Sequence, residues 1–528
     1  MNRWQSVLQQ SQIESDKNSL DQCERTTLPA GTRPSCVLYP ESVEDVQNIV
    51  KSALMHGDKL YPLSRGKNWG YGDKCAVGDG QVIVDLSRMN KIIEVNTELS
   101  YAVIEPGVSQ GQLYEFLNKN NIPLMIDVTG AGPDASIMGN VLERGFGHTP
   151  NGDHFLSSAG YEVVLADGRV LHTGFGHFKN SKTGYLQKWG VGASLDGIFA
   201  QSNLGIVTKM AIHLMPKPKK LKFFISSFDG DGALARVVEK IRYMLEMGIV
   251  SSTIHIGNDW KALSHSGKKH GDYVKEGESQ SGAIERLRKE TGAGEWNFSG
   301  AFYGNETIVR AQVKELKKAL KPEARVIVLC DDILFAAKKI LSGVRWIKAA
   351  EKLYRKILVG EQLSSLLQGE PVAESLKSAF WRVKEVGHLK KTDPLDNGCG
   401  LIWFAPILPM TGRDVARFVG EVKRIYQESD LEPLITLSCV SHRVICAVLC
   451  ISFDKKDASE TERAATCHKK LWDKAMEMGY PPYRCGTQSM KDLCDPNDVF
   501  WQVTGQIKKA LDPQGILAPG RYECEGVK

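Results

Sequence analysis

Between residues 36 and 215, short apolar runs alternate with segments whose apolar positions recur every three or four residues. Residues 36 to 39 read as a strand, and Ser42 caps a helix in which Val43, Val46, Ile49, Val50, Ala53 and Leu54 share one face. Gly57 stops that helix, and residues 60 to 63 return as a strand. Strands follow at 81 to 86 and 101 to 105, then a helix over 110 to 119. Two further strands, 161 to 165 and 170 to 172, flank an Asp167-Gly168 hairpin turn. Beyond residue 220 the alternation restarts, with strands at 221 to 227, 252 to 256, 296 to 303, 325 to 329, 401 to 408 and within 434 to 452. Helices are predicted at 233 to 246, 307 to 320 and 413 to 427, and the stretch from 333 to 368 is largely helical. The pattern is that of an α+β protein in two units, with a turn-rich tail, Asp512 to Arg521, that folds back onto the first.

Composition adds limits. At 528 residues the chain can bury a sizeable core and form two or three domains. A formal charge of +5 is small for that length and points to no polyanionic partner. The one basic cluster, Lys217, Lys219, Lys220 and Lys222 interleaved with Pro216 and Pro218, lacks alternating aromatics. It reads as a solvated crossing between units rather than a nucleic-acid patch. No run approaches the roughly 18 apolar residues of a membrane span, and the first 20 residues contain no apolar signal region. Twelve cysteines without C-x-x-C pairs suit reduced thiols, so a cytoplasmic location is expected.

The chemistry is concentrated in two glycine-rich segments. One is Ser64-Arg65-Gly66-Lys67-Asn68-Trp69-Gly70-Tyr71-Gly72. The other runs from Asp127 to His154 through Gly130, Gly132, Ser136, Gly139, Asn140, Arg144 and Gly145. Glycines at this density bring the backbone close to a bulky ligand and let N–H groups face a charged one. Two such segments in one half of the chain fit a large cofactor with a pyrophosphate clasped from both sides, as in a flavin dinucleotide. Gly205, Ile206 and Val207, at a strand entry, offer main-chain contacts to an adenine. Tyr483 and Arg484 form an adjacent phenol and guanidinium able to hold an anionic oxygen. A competing motif, Gly107-Val108-Ser109-Gln110-Gly111, matches the hydrolase G-x-S-x-G, but Ser109 is equally placed as a helix N-cap. His213 and His255, on strand-like runs, read as structural.

Taken together, the S-R-G-K-N-W-G-Y-G loop, the I-E-P-G-V turn, G-N-V-L-E-R-G-F-G-H-T-P-N-G-D-H, the W-F-A-P strand, G-Y-P-P-Y-R and the D-P-Q-G-I-L-A-P-G-R tail resemble the vanillyl-alcohol oxidase and p-cresol methylhydroxylase flavoproteins. The resemblance runs in order from about Cys36 to Arg521. It implies an FAD domain of two α+β subdomains over residues 1–218, with 480–528 folding back onto it and Arg521 among the cofactor contacts. It further implies an α+β cap over 219–479 with a large antiparallel sheet. The implied activity is oxidation of para-alkylphenols or para-hydroxybenzylic alcohols, in which a benzylic hydride leaves for flavin N5 and a quinone methide results. The family's phenolate-binding trio falls on Tyr71, Tyr483 and Arg484. A small aromatic substrate, a homodimer, and a cytochrome or other acceptor on a separate chain are the implied partners. The alternatives are an alcohol or hydroxy-acid dehydrogenase on the same scaffold, a serine hydrolase using Ser109, and an idle flavin binder.

The departures from the pattern are specific. Where the oxidases carry a flavin-linking histidine, this chain has Leu401; where the methylhydroxylases carry a linking tyrosine, Lys391 to Cys399 contains none. Asn68 stands near the linking histidine of a more distant branch. The aspartate expected near flavin N5 has no match in place, and Asp134 lies about three positions away. A histidine pair of the family's site is replaced by Cys446 and Ala447, with His442 near, and His148 replaces a tyrosine. FAD is therefore expected to be noncovalent. Acid precipitation of the purified protein should release the yellow colour into the supernatant, and colour retained in the pellet would contradict this.

Overall fold

The structure is a computed structural model that describes residues 2–265, 269–275, 277–343, 345, 346, 348–384 and 393–524. Lys391 and Thr392, part of the segment read for a linking tyrosine, lie outside the described residues.

Three sheets organise the chain. In the first, β1 (Cys36–Leu38), β2 (Leu60–Leu63) and β3 (Val82–Asp85) run parallel in the order β1-β3-β2. Parallel neighbours need a crossover, and α1 (Val43–His56) supplies it. Ser42 caps α1 by accepting from the Asp45 amide at 3.1 Å, and Gly57 ends it in the left-handed region at φ 75°. The second sheet is antiparallel, with β4 (Ile92–Asn96), β5 (Tyr101–Ile104), β6 (Ser158–Val164), β7 (Val170–His172) and β8 (Ile206–His213) in the order β4-β5-β8-β6-β7. The tail returns to the first sheet. Leu60 donates to the carbonyl of Ile516 at 2.7 Å, and Ala518 donates to that of Leu60 at 2.6 Å.

The third sheet is antiparallel throughout and has eight strands: β9 (Lys220–Phe228), β10 (Ile254–Asn258), β11 (Trp296–Gly304), β12 (Arg325–Leu329), β13 (Cys399–Phe404), β14 (Ile407–Pro409), β15 (Leu434–Cys439) and β16 (Val444–Asp454). Their order is β12-β9-β11-β10-β15-β16-β13, with β14 also on β16. Side chains alternate faces along each strand. Ile445, Ala447, Leu449, Ile451 and Phe453 of β16 join Ile402 and Phe404 of β13 and Ile254 and Ile256 of β10 in one core. The helices Asp231–Glu246, Gly412–Glu428 and Ala458–Glu477 cover that face with stripes such as Val415, Phe418, Val419, Val422 and Ile425. The other face carries His255, Ser438, Cys446, Cys450, Leu401 and Trp403, and it looks toward the amino-terminal glycine loops.

The α+β class is as expected, with local differences. The helix Ala458–Glu477 escaped prediction because its exposed faces are polar and its buried stripe (Ala464, Cys467, Leu471, Trp472, Ala475) is narrow. Helix Val499–Leu511 was likewise unforeseen, and the stretch from 333 to 368 resolves into Asp331–Ser342 and Lys348–Leu367. Fully reduced thiols are corrected by a disulfide between Cys494 and Cys524, although ten other cysteines are free. Thirty residues separate that pair, so no short spacing announces it. Among the described residues no helix is long and apolar enough to cross a membrane.

One buried ion cluster ties the segment from residue 373 to 384 to the cap sheet. Glu432, 3% exposed, accepts from both Nε (2.9 Å) and Nη2 (2.7 Å) of Arg382, from the Trp381 indole at 3.1 Å, and faces His270 Nε2 at 3.1 Å. Burial alone would raise its carboxyl, but His270 and Arg382 outweigh that and hold it at about 2 against 4.5 for a free glutamate. A depressed carboxylate stabilises the fold in full above the unfolded value and loses that contribution as pH falls through the folded one. Glu432→Gln should therefore cost about 3 kcal/mol at neutral pH, the penalty of removing the bidentate partner of a buried guanidinium that keeps Glu460, at 3.5 Å, as a counter-charge. The gap from wild type should narrow as pH falls from 4.5 toward 2; denaturant melts that show a pH-independent gap would contradict the assignment.

Candidate active site

The first glycine loop is bolted down from two sides. Asp73, buried behind it, accepts from the Thr27 amide (2.7 Å) and the Thr26 and Thr27 hydroxyls (both 2.8 Å), and Gly70 donates to Thr27 Oγ1 at 2.7 Å. On the cap side Trp403 donates to the carbonyl of Gly70 at 3.1 Å. Gly70 has a φ of 74°, and a Cβ there would lie 2.3 Å from the Trp403 ring, so only glycine admits this contact. The loop thus delivers Tyr71 to the junction between the amino-terminal unit and the cap sheet.

Tyr71 meets Tyr483 and Arg484 there. The Arg484 guanidinium lies 4.0 Å from the Tyr71 ring centroid and donates to Asn68 Oδ1, while Tyr483 packs on Phe146 at 5.6 Å. Tyr483 is anchored by its amide to the carbonyl of Ala405 (3.1 Å) and by its carbonyl, which accepts from Gln201 at 2.9 Å. Behind them Glu143 is shared by two guanidiniums: Arg484 Nε is 3.5 Å from one carboxylate oxygen, and Arg521 pairs with the other. Tyr522 donates to Glu143 at 3.0 Å, and Arg521 donates to the Tyr61 hydroxyl at 3.0 Å. Two buried cations against one carboxylate leave one positive charge over, and Arg484 Nε is buried without a hydrogen-bond partner. Burial costs that charge, yet Glu143 and the tyrosines keep Arg484 firmly protonated. Burial, reinforced by their mutual contact and by Cys446, pushes the Tyr71 phenol well above its usual range. Burial also raises Tyr483, against the opposing pull of Arg484. Both phenols are therefore hydrogen-bond donors beside a fixed cation, a set built for an anionic oxygen.

The second glycine segment is held by Arg65 and Gln110. Arg65 donates to the carbonyls of Asp134 (2.7 Å) and Gly107 (3.0 Å), tying the two glycine loops together. Gln110 bridges the Thr129 amide (2.7 Å) and the Gly132 carbonyl (2.8 Å), and Ser136 caps the helix Ile137–Leu142 through Gly139 at 2.9 Å. Farther on, Asp127 accepts from the amides of His148 (3.0 Å) and Thr149 (2.8 Å) and from His154 at 2.7 Å, whose other ring nitrogen reaches Asn140 at 2.6 Å. His148 packs at a tilt against His255 with ring centroids 4.7 Å apart, and His255 Nδ1 bonds the Ser438 hydroxyl at 2.9 Å. His148 Nδ1 and His255 Nε2 are buried and unpartnered. Burial, aided by the neighbouring imidazole, pushes His255 down to about 3, and burial lowers His148, so both rings are neutral at pH 7.

Several predicted residues have other partners. Lys67 pairs with Asp393 of the cap and lies over Trp69, so its charge is spent there. Asp134 is exposed, and the contact it makes in the site is through its carbonyl. Arg144 adopts φ 50°, with its guanidinium near Phe155 and the Ala200 carbonyl at 3.5 Å. Asn140 and Gly145 pack together, since a Cβ on Gly145 would lie 2.3 Å from the Asn140 amide. Gly205 is closed in by Val163, and Ile206 and Val207 pair with Val164 and Val163 in the second sheet. Gly66, with φ 63°, is packed by Lys74, and Ser64 touches Gly139. Gly130 and Gly132 lie in the segment that Gln110 holds. Ser109 is an N-cap, accepting from Gln112 at 3.1 Å, which removes the hydrolase motif's nucleophile. His213 is structural, bonding the Tyr185 carbonyl at 3.1 Å, but His255 belongs to the site. It was missed although the alternation Ile254, His255, Ile256 already places it opposite the core. Glu143 and Tyr522 were missed as well, each sitting beside a residue that was singled out.

The donor set fits FAD: an orphan guanidinium N–H at Arg484, and surplus buried positive charge for an electron-rich ring edge. Among the described residues no group of three or more His, Cys, Asp or Glu could hold a metal ion. A family described as an FAD binding domain matches residues 34–174, which contain both glycine loops. The chain is 34% identical to 1'-carboxy-chondrochloren decarboxylase of Chondromyces crocatus over 98% of its own length and 96% of the relative's. It is 31% identical to the 4-cresol dehydrogenase [hydroxylating] flavoprotein subunit of Pseudomonas putida, over 93% of its length and 88% of that protein's. Among solved structures, p-cresol methylhydroxylase with substrate bound superimposes with a TM-score of 0.87 and 29% identity, covering 99% of this chain and 96% of that one.

The loop geometry makes a sharp test. A Cβ on Gly147 would lie 1.9 Å from Asp127 Oδ2 and 2.7 Å from the Val128 carbonyl, and Asp127 cannot retreat without breaking its pair with His154. Gly147→Ala should destabilise the protein by about 1–3 kcal/mol or more and lower the FAD retained on purification. A variant with wild-type melting and full FAD content would contradict this reading.

Proposed function

The chain belongs to the p-cresol methylhydroxylase family of FAD-dependent oxidoreductases, and on that premise we propose that it oxidises a para-substituted phenol at the benzylic carbon. The observation that carries the reading is the surplus buried positive charge beside two protonated phenols at Tyr71, Tyr483 and Arg484. A phenol entering this site gives up its proton because the anion gains a charge-assisted bond to Arg484 and two neutral hydrogen bonds. The resulting oxyanion pushes electron density through the ring toward the para carbon, which weakens the benzylic C–H bond and leaves a quinone methide once hydride departs. Bound FAD would supply the two-electron acceptor for that hydride.

The residues that would hold FAD are those of the two glycine loops, from Ser64 to Gly70 and from Gly130 to Gly145, with Arg521 from the tail and the strand entry at Gly205 to Val207. We assign Arg65 and Asp134 to keeping those loops in register rather than to chemistry. The neutral His148–His255 pair offers ring nitrogens that can position, by hydrogen bonds, a water adding to the quinone methide. A second outcome is supported by the Chondromyces crocatus relative, whose name is that of a decarboxylase: a side-chain carboxylate leaves as CO2, and its bonding pair restores the aromatic phenolate. The name of the Pseudomonas putida relative, a flavoprotein subunit, supports a separate electron-accepting partner. We further propose the domain limits 1–218 with 480–528, and 219–479.

Anaerobic stopped-flow mixing with a para-alkylphenol tests the reading. Wild type should bleach the flavin, and Arg484→Leu, with its FAD content verified, should bleach about a hundredfold or more slowly, as when an oxyanion donor is lost. Equal rates in the two proteins would refute the phenolate assignment.

A further inference from the structure

The site-facing surface of the cap sheet holds a second cation that the phenolate chemistry does not use. Lys261 lies in the short helix Asp259–Ser264, which follows β10 directly. Its stem runs over Gly257: a Cβ on that residue, which shares the site-facing side of β10 with His255, would meet Lys261 Cγ at 3.6 Å. Its ammonium lies 5.3 Å from the Trp403 ring centroid and donates to the Ser378 hydroxyl at 3.2 Å. Trp403 is the residue that closes on Gly70, and it pairs across the sheet with Cys450.

An ammonium has three N–H donors. Among the described residues the Ser378 hydroxyl takes one of them, and no carboxylate pairs with Lys261. Lys261 is half-buried, and a charge drawn partly out of water is ordinarily paired, because losing hydration without a counter-ion is costly. The neighbourhood sharpens the imbalance, since His265 is held neutral by burial and by the charges of Lys261 and Lys377. Burial likewise pulls the Lys261 ammonium below its usual range, the cost of holding that charge away from water.

Position supplies the ligand's shape. Cys446, beside the Tyr71–Tyr483 pair, and Cys450, beside Lys261, lie on the same face of β16 four residues apart, about 13 Å along the strand. A ring oxygen at Arg484 and an anion at Lys261 therefore mark the two ends of one elongated molecule. We propose that Lys261 binds a carboxylate on the para side chain of the substrate, so that this enzyme takes para-hydroxyphenyl acids rather than simple para-alkylphenols. The proposal rests on the phenol-oxidising reading and names the substrate class for it.

The test uses holoenzyme reduced with dithionite under anaerobic conditions, in which no ligand is oxidised, and isothermal titration with 3-(4-hydroxyphenyl)propanoate and its methyl ester. Wild type should bind the acid about tenfold or more tighter than the ester, as expected for a charge-assisted bond. In Lys261→Met the acid-to-ester ratio should fall to near one, and in Lys261→Arg it should be largely kept. Wild type binding both equally would overturn the Lys261 proposal and leave the phenol reading standing. An intact ratio in Lys261→Met, with or without loss of FAD, would also overturn it, and loss of FAD would assign the lysine to the cofactor. If neither ligand bound wild type, the phenol reading would fall and this proposal with it.

Discussion

One buried carboxylate organises the centre of this protein. Glu143 lies between Arg484 and Arg521, which arrive from segments more than three hundred residues later in the chain. Both guanidiniums lose hydration in that position, and a single carboxylate cannot neutralise both. The remaining positive charge is a standing demand for an anion. The tyrosines around it, Tyr61, Tyr71, Tyr483 and Tyr522, are kept protonated by burial, so none of them supplies the missing negative charge. Electrostatics thus define what the cavity accepts before any substrate is named.

The cap sheet meets that demand through its two-residue period. Odd-numbered positions of β16 bury Ile445, Leu449 and Ile451 under helices, while even-numbered positions turn Cys446 and Cys450 toward the glycine loops. Core packing therefore fixes the register of the ceiling over the site, since a slip of one residue would exchange the two sets. The same logic places His255 against His148 and Trp403 against Gly70. The Glu432–Arg382 pair holds the segment bearing Leu376, which touches Gly132, and Ser378, which touches Lys261. A structural ion pair in the cap thereby positions both walls of the cleft.

Much of the fold was legible in residue patterns. Helix Val43–His56 could be read from Ser42, its apolar stripe and Gly57, because local chemistry decides both ends. The alternation Ile254, His255, Ile256 contained the position of a site histidine, but a strand alone does not say what covers its polar face. What stayed hidden depends on contacts distant in sequence. The sharing of Glu143, the Lys67–Asp393 pair and the Cys494–Cys524 bond join residues whose spacing has no local meaning. Arg65 and Lys67 lie in a loop expected to clasp a pyrophosphate, yet each side chain is engaged by protein, one by carbonyls and the other by a cap aspartate. Charge in a glycine loop is visible in a sequence; its partner is not.

The central claim is that leftover buried charge ionises a bound phenol. Difference spectroscopy of a non-oxidisable para-substituted phenol on the oxidised holoenzyme, titrated across pH, measures that directly. The account predicts a bound phenol whose pKa lies at least about two units below its value in water, each unit being about 1.4 kcal/mol of preference for the anion. A bound phenol that titrates at or above its solution pKa would contradict it.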